Sequence, residues 1–298
     1  MQSLLLYFDD ERAAALRLAA ACGLEAAAIE RHRFPDDELR LRLPLDSAAR
    51  LPEQLVIYRG LDHPNERLVE LLLLAGEARA LGARRLLLVS PYLAYMRQDI
   101  AFNPGEVVSQ RIIGRFLAEH FDGLITVDPH LHRVASLNEA VPLADAVTLS
   151  GAPALAELIA RQRPQAVLIG PDAESVQWIE VAAGSHGFAH GVCQKVRHGD
   201  RDVTIELPDM PLAGRQVVLL DDIASSGHTL AQACRQLLAA GVRSVDVAVT
   251  HALFAGDALE TIRAAGVEQV WSTDCIAHPS NAVYMAPYLA AALKPLLR

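Results

Sequence analysis

Cysteine is scarce in this chain, and Cys22, Cys193, Cys234 and Cys275 lie too far apart to form a close metal-ligand spacing. They read as reduced thiols, so a cytoplasmic protein is expected. Long apolar runs are also missing, and no stretch is long or clean enough to span a bilayer. The strongest run, Leu68 to Ala75, is broken by Glu70 and followed by Glu77 at helical spacing, which predicts a buried helix. The N-terminus, MQSLLLYFDDE, has no basic segment and soon turns acidic, arguing against a secretory signal. Basic charge is in deficit: Lys and Arg total 27 against 36 for Asp and Glu, a net charge of −9. Nucleic-acid backbones select clustered cations, so no nucleic-acid partner is expected. An anionic small molecule would need its cations concentrated locally.

What is present is globular. Hydrophobic residues make up 52% and charged residues 21% of 298 residues, enough for two domains with separate cores. Short apolar runs at Leu4–Tyr7, Leu55–Tyr58, Leu86–Val89, Leu124–Val127, Ala166–Ile169, Val217–Leu220 and Val245–Val249 alternate with helix-like segments. This is α/β patterning, and strands so rich in Leu, Val and Ile belong in parallel sheets covered on both faces. Sites then gather at the strand C-terminal ends. The segment from Leu55, LVIYRGLDHPNERLVELLLLAGEARALGARRLLLVSPY, resembles that from Val217 in running strand, loop, helix, strand. Gly82 and Gly241 close the two helices at equivalent places, while Arg59 and Gly60 replace the acidic pair Asp221 and Asp222. Two similar domains are expected, dividing near Leu149 to Pro153, with no low-complexity linker between them.

The segment Val217 to Leu230, VVLLDDIASSGHTL, has the order of a sugar-phosphate site. A buried strand over Val217–Leu220 should lead through a small hydroxyl-rich loop into a helix over Leu230–Ala240. The unpaired N–H groups at that helix start, with the hydroxyls of Ser225, Ser226 and Thr229, suit a phosphate dianion. Gly227 lets the backbone approach closely. The carboxylates of Asp221 and Asp222 suit vicinal ribose hydroxyls or a magnesium ion. The plainer reading is a strand followed by an N-capped helix.

Other polar positions are ambiguous by themselves. Lys195 and Arg197 lie in QKVRHGDRDVTIEL, a polar segment that reads as a loop or hairpin and would put both cations on one side. Arg97 and Gln98 follow a strand and could bind phosphate or a base, or be ordinary surface residues. His130 follows the strand at Leu124–Val127 and could ligate a metal or serve as a structural hydrogen-bonding group. Asp172 could be a metal ligand or a helix N-cap.

Taken together, RFPDDE at Arg33–Glu38, SPYLAYMRQD at Ser90–Asp99, TVDPH at Thr126–His130, GPD at Gly170–Asp172, KVR at Lys195–Arg197 and VVLLDDIASSGHT resemble the ribose-phosphate pyrophosphokinases in order and spacing. The resemblance covers nearly the whole chain. It implies two type I phosphoribosyltransferase-like domains, each a mainly parallel sheet flanked by helices. Residues 1–149 would carry the ATP motifs, residues 150–298 the ribose 5-phosphate and catalytic loops, and the last helix is a candidate to pack on the N-terminal domain. It further implies transfer of the β,γ-diphosphoryl group of magnesium ATP to the C1 hydroxyl of ribose 5-phosphate, releasing AMP.

In that scheme Lys195 and Arg197 are catalytic, and Arg197 also contacts the sugar phosphate. Arg97, Gln98 and His130 bind ATP, and Phe34, Asp36 and Glu38 reach the ATP of a neighbouring subunit, so a homodimer or larger homo-oligomer is implied. Asp221, Asp222, Ser225, Ser226, Gly227, His228 and Thr229 hold ribose 5-phosphate, while His130 and Asp172 contact magnesium. The chain departs from the family at Ser225, commonly Asp, at His228 and Asp37, commonly Gly, and at Glu174 and Ser175, where many members have two glycines. A type I phosphoribosyltransferase or a catalytically silent paralogue are the alternatives.

Overall fold

A computed structural model describes residues 3–45, 50–131, 133–197 and 203–297, except for the side chains of residues 196, 197, 203 and 204. His132 lies outside the described residues. The chain divides into two compact units, Met1–Leu149 with Ala286–Arg298, and Ser150–Met285.

In the first unit, β1 (Ser3–Tyr7) passes through a 3-10 turn at Asp9–Glu11 into α1 (Arg12–Cys22) and then β2 (Glu25–Ala28). An antiparallel hairpin of β3 (Glu30–Arg33) and β4 (Leu39–Arg42) stands apart from the main sheet. There follow β5 (Gln54–Tyr58), α2 (Pro64–Ala80), β6 (Arg85–Val89), α3 (Ser109–His120), β7 (Gly123–Val127), α4 (Leu137–Ala140) and β8 (Asp145–Leu149). The main sheet has the order β2-β1-β5-β6-β7-β8, parallel throughout. Its central strands are buried on both faces, which is why they read as unbroken apolar runs.

The second unit repeats this plan. After α5 (Ala152–Gln162) come β9 (Val167–Gly170), a 3-10 turn at Ala173–Ser175, α6 (Val176–His186) and β10 (His190–Val192). A separate antiparallel hairpin, β11 (Gln194–Arg197) and β12 (Val203–Glu206), precedes β13 (Gln216–Ala224), α7 (His228–Ala239) and β14 (Ser244–Ala252). The unit ends with α8 (Ala258–Ala264), β15 (Val267–Thr273) and β16 (Asn281–Val283). The parallel sheet runs β10-β9-β13-β14-β15-β16, strand for strand the order of the first. Its core sets Val217, Leu219, Val245 and Val247 against Leu230, Cys234 and Leu237 of α7. The last helix, α9 (Ala286–Leu293), belongs to the first unit, where it packs on α1.

The repeated segments are β5–α2–β6 and β13–α7–β14, and Gly82 and Gly241 sit just beyond the two helices at φ 104° and 83°. The helix expected around Leu68–Ala75 is α2, but it is buried on one side only: Glu70, Leu71, Leu74 and Ala75 face inward while Val69, Leu72 and Leu73 are exposed. One boundary differs in a way that matters for the site. β13 does not stop at Leu220 but continues through the acidic pair to Ala224, because β14 extends alongside and pairs Asp221 with Val249 and Ala224 with Ala252. Two charges look like a strand end in an apolar pattern, yet main-chain pairing is indifferent to them. α7 accordingly starts at His228, two residues before the expected Leu230.

In each sheet the chain reverses its direction of growth between two central strands, β1 and β5 in the first and β9 and β13 in the second. The crevice beyond the carboxyl ends of such a strand pair is the usual ligand position in open α/β sheets. All four cysteines are free thiols. Among the described residues no helix is long and apolar enough to cross a membrane.

Candidate active site

The crevice of the second unit gathers residues from three places in the sequence. Asp172 follows β9 and caps the 3-10 turn, its Oδ1 accepting the Glu174 N–H at 3.0 Å. Ser175 is fully buried, and its hydroxyl donates to the Asp172 carbonyl at 2.5 Å. Glu174 and Ser175 therefore build this turn without glycine. The glycine this turn requires is Gly170 instead, where the backbone is packed so closely that a Cβ would collide with Ser175 Oγ. The N-cap reading of Asp172 is correct as far as it goes. Its second oxygen, Oδ2, takes a hydrogen bond of 2.5 Å from Lys195 Nζ, carried in by β11.

Asp221 and Asp222 stand toward the C-terminal end of β13, just past the stretch that pairs with β9 and alongside β14. Asp222 is 3% exposed, and its N–H donates to Asp221 Oδ1 at 3.0 Å. Burial, then the negative charges of Asp222 and Asp172, push the Asp221 carboxyl well above the usual carboxylate range. Three carboxylates thus share a crevice to which the described side chains bring the Lys195 ammonium. Arg197 closes β11 opposite Val203, and its side chain lies outside the described residues.

Beyond β13, Ser225 and Thr229 are half-buried, and Ser226 and His228 are exposed. Gly227 caps α7 at φ 75°, a left-handed conformation that a side chain would strain. A Cβ there would also stand 2.9 Å from the Ala258 carbonyl. A glycine cap offers no side-chain oxygen to the first-turn N–H groups, which leaves them to an incoming anion. His228 is the first residue of α7 and turns to solvent, so its bulk does not fill the loop.

Among the described residues no group of three or more His, Cys, Asp or Glu is arranged to hold a metal ion unaided. The Asp172, Asp221 and Asp222 set supplies oxygen donors and excess negative charge, which fits magnesium taking its remaining ligands from phosphate and water. The half-buried imidazole of His130, in the first unit, is a nitrogen donor and suits that ion less well.

In the first unit the corresponding crevice is filled from within. Arg59, at the end of β5, is fully buried and donates to Asp10 Oδ2 at 2.8 Å, Glu11 Oε2 at 2.9 Å and Glu70 Oε2 at 2.7 Å. Its guanidinium also stands 4.4 Å from the Phe8 ring centroid. Arg67 adds contacts to Asp10 and Asp62, and Arg31 to Glu70. Burial raises the Glu11 carboxyl to about 7, against the opposing pull of Arg59 and Arg67.

The motif residues of the first unit lie on neighbouring strand ends. Arg97 is exposed and Gln98 half-buried in the loop after β6, and His130 is in the loop after β7. That second loop leaves the sheet at Asp128, which has φ 36° and donates its N–H to the Leu149 carbonyl at 2.8 Å. Phe34, Asp36 and Glu38 are exposed at the tip of the β3–β4 hairpin. Asp37, in the usual glycine position, keeps the tight turn by adopting φ 70° and donating to the Phe34 carbonyl at 3.0 Å. Asp99 and Arg133 form an ion pair, with Asp99 Oδ1 accepting from Nη1 at 2.7 Å. Sequence spacing gave no sign of that contact.

The chain is similar to known proteins along most of its length. Residues 4–120 match the model of the N-terminal domain of ribose phosphate pyrophosphokinase, and residues 148–270 match the phosphoribosyl transferase domain. The ribose-phosphate pyrophosphokinase of Methanopyrus kandleri is 34% identical over 94% of this chain and 94% of its own. That of Halobacterium salinarum is 34% identical over 97% of this chain and 100% of its own. The crystal structure of phosphoribosylpyrophosphate synthetase from Mycobacterium smegmatis covers 99% of both chains with a TM-score of 0.84 at 21% identity, a likeness of fold. On these grounds, the chain belongs to the ribose-phosphate pyrophosphokinase family.

Proposed function

We propose that this chain carries out the family reaction with the crevice of its second unit as the sugar site and the loops after β6 and β7 as the ATP site. The β,γ-diphosphoryl group of ATP passes to the C1 hydroxyl of ribose 5-phosphate, giving 5-phosphoribosyl 1-diphosphate and AMP. The observation that carries this reading is the approach of Lys195 to Asp172 beside the Asp221–Asp222 pair, on the same crevice as the SSGHT loop.

The first-turn N–H groups of α7 and the hydroxyls of Ser225, Ser226 and Thr229 hold the 5-phosphate, and His228 stands at its solvent side. Gly227 keeps the backbone close to it. Asp221 and Asp222 accept from the ribose hydroxyls, so the sugar is fixed with C1 toward β11. Arg97 and Gln98 orient ATP, with His130 beside them. Lys195 leaves Asp172 for the transferring group, where its ammonium offsets negative charge that grows in the transition state, and Arg197 assists and contacts the sugar phosphate. In the second unit Asp172, and in the first unit, as a weaker nitrogen donor, His130, would each contact magnesium, which when bound supplies further charge neutralisation at the phosphate oxygens. The exposed hairpin bearing Phe34, Asp36 and Glu38 reaches the ATP of a second copy, making the working enzyme at least a homodimer.

The test is incubation with magnesium ATP and ribose 5-phosphate, following AMP and 5-phosphoribosyl 1-diphosphate. Both should accumulate in equal amounts. Product no greater than that of a Lys195→Ala control would overturn the reading.

A further inference from the structure

Asp99 and Arg133 are 34 residues apart and join the loop after β6 to the loop after β7. The Asp99 side chain is 1% exposed, and both of its oxygens are used on one residue. Oδ1 accepts from Arg133 Nη1 at 2.7 Å, and Oδ2 accepts from the Arg133 main-chain N–H at 3.2 Å. Gripping the main chain as well as the guanidinium fixes the path of the second loop, which an ion pair between side-chain tips would not do.

The Asp99 end is itself held firmly. Gln110, buried at the start of α3, donates from Nε2 to the Met96 carbonyl at 3.0 Å and from its N–H to the Gln98 carbonyl at 3.3 Å. Tyr95 enters this stretch at φ 64°. Arg97 and Gln98 thus lie between an anchored turn and Asp99, and His130 lies three residues before the residue that Asp99 grips. Arg133 is half-exposed, with its guanidinium 5.7 Å from the Phe102 ring centroid.

We propose that Asp99, acting through Arg133, is the positioning residue of the nucleotide site: it sets the separation between the Arg97–Gln98 loop and the His130 loop. This rests on the reading that those residues bind ATP. A loop tie that only stabilised the fold would change the melting temperature and leave substrate preferences alone. A tie that spaces the two halves of a nucleotide site acts on ATP selectively.

The experiment is a double-mutant cycle on the full-length enzyme with Asp99→Asn, Arg133→Met and their combination, accompanied by Arg133→Lys, Arg97→Ala and His130→Ala. Each single latch variant should raise KM for ATP about tenfold while KM for ribose 5-phosphate stays within about twofold. The double variant should be no worse than the worse single, because the second change removes nothing further. Arg133→Lys should recover part of the loss. An unchanged KM for ATP in Asp99→Asn, or losses that multiply in the double variant as they would if Arg133 touched ATP independently, overturns the proposal. Should Arg97→Ala and His130→Ala also leave ATP binding intact, the nucleotide-site reading fails and the latch fails with it. Losses in those two variants without one in Asp99→Asn refute the latch alone.

Discussion

Lys195 Nζ hydrogen-bonds to Asp172 Oδ2 at 2.5 Å, so the candidate catalytic cation on the β11–β12 hairpin is held by a carboxylate just beyond β9 of the main sheet. Two of the three acidic groups around it, Asp221 and Asp222, sit on β13 and are fixed by the sheet. The ammonium is the part that can move. Lys195→Ala should lower kcat by on the order of 10³-fold while the dissociation constant for ATP changes little, since the residue acts where charge develops. Single-turnover rates and equilibrium ATP titration separate the two. Equal losses in both would assign Lys195 to ground-state binding.

The chain has two lysines, Lys195 and Lys294, which makes the first addressable by chemistry. The Lys195 side chain is 41% exposed, enough to meet an amine-selective reagent. Such a reagent should inactivate the wild type and a Lys294→Arg variant at equal rates, and magnesium ATP with ribose 5-phosphate should protect both. Inactivation that Lys294→Arg abolishes would place the sensitive amine elsewhere.

Gly227→Ala combines a left-handed conformation with a Cβ 2.9 Å from the Ala258 carbonyl. The conformational part alone costs about 1–2 kcal/mol, and backbone must shift to relieve the contact. A melting temperature lower by a few degrees is expected, with a KM for ribose 5-phosphate raised at least about tenfold and KM for ATP unaffected. Steady-state kinetics with each substrate varied in turn will show whether the loss is confined to the sugar.

Glu11 gives the first unit a defined pH response. Its folded-state carboxyl is raised from 4.5 to about 7, so between those values the native protein binds more protons than the unfolded chain. Stability from this group is complete below pH 4.5 and is lost as pH rises through about 7. Charge counting agrees, since Asp10, Glu11, Asp62, Glu66 and Glu70 surround four guanidiniums, those of Arg31, Arg33, Arg59 and Arg67. Denaturant midpoints of wild type minus Glu11→Gln, compared at pH 5 and pH 7.5, should fall with pH, by at most about 3 kcal/mol in stability. A flat difference would mean that Glu11 is ionised throughout.

The strands that define both sheets were legible because central parallel strands bury both faces, and Leu55–Tyr58 and Val217–Leu220 are apolar for that reason. Edge strands escaped notice. Edge strand β2 is a glutamate and three alanines, and the separate β3–β4 hairpin has Arg and His where a buried strand would have Val or Ile. In the second-unit crevice, local motifs marked Asp172, Lys195, Asp221 and Asp222 one by one, but that Lys195 bonds Asp172 is a product of the sheet and hairpin. The Arg59 and Asp99 contacts are of the same kind. Each depends on side chains meeting across 11 to 49 residues, which no periodicity encodes.

Because β13 runs on through Asp221 and Asp222, main-chain pairing holds two carboxyl groups at short range before any ligand arrives, where burial and then the neighbouring negative charge disfavour ionised Asp221. The empty-handed protein is therefore less stable than its own backbone would allow, and the sheet does the restraining. Activity and robustness pull in opposite directions at this one strand end. Asp221→Asn should melt at a higher temperature than the wild type and bind ribose 5-phosphate poorly. By the same logic, the wild type has the most to gain in heat resistance when substrates occupy the crevice.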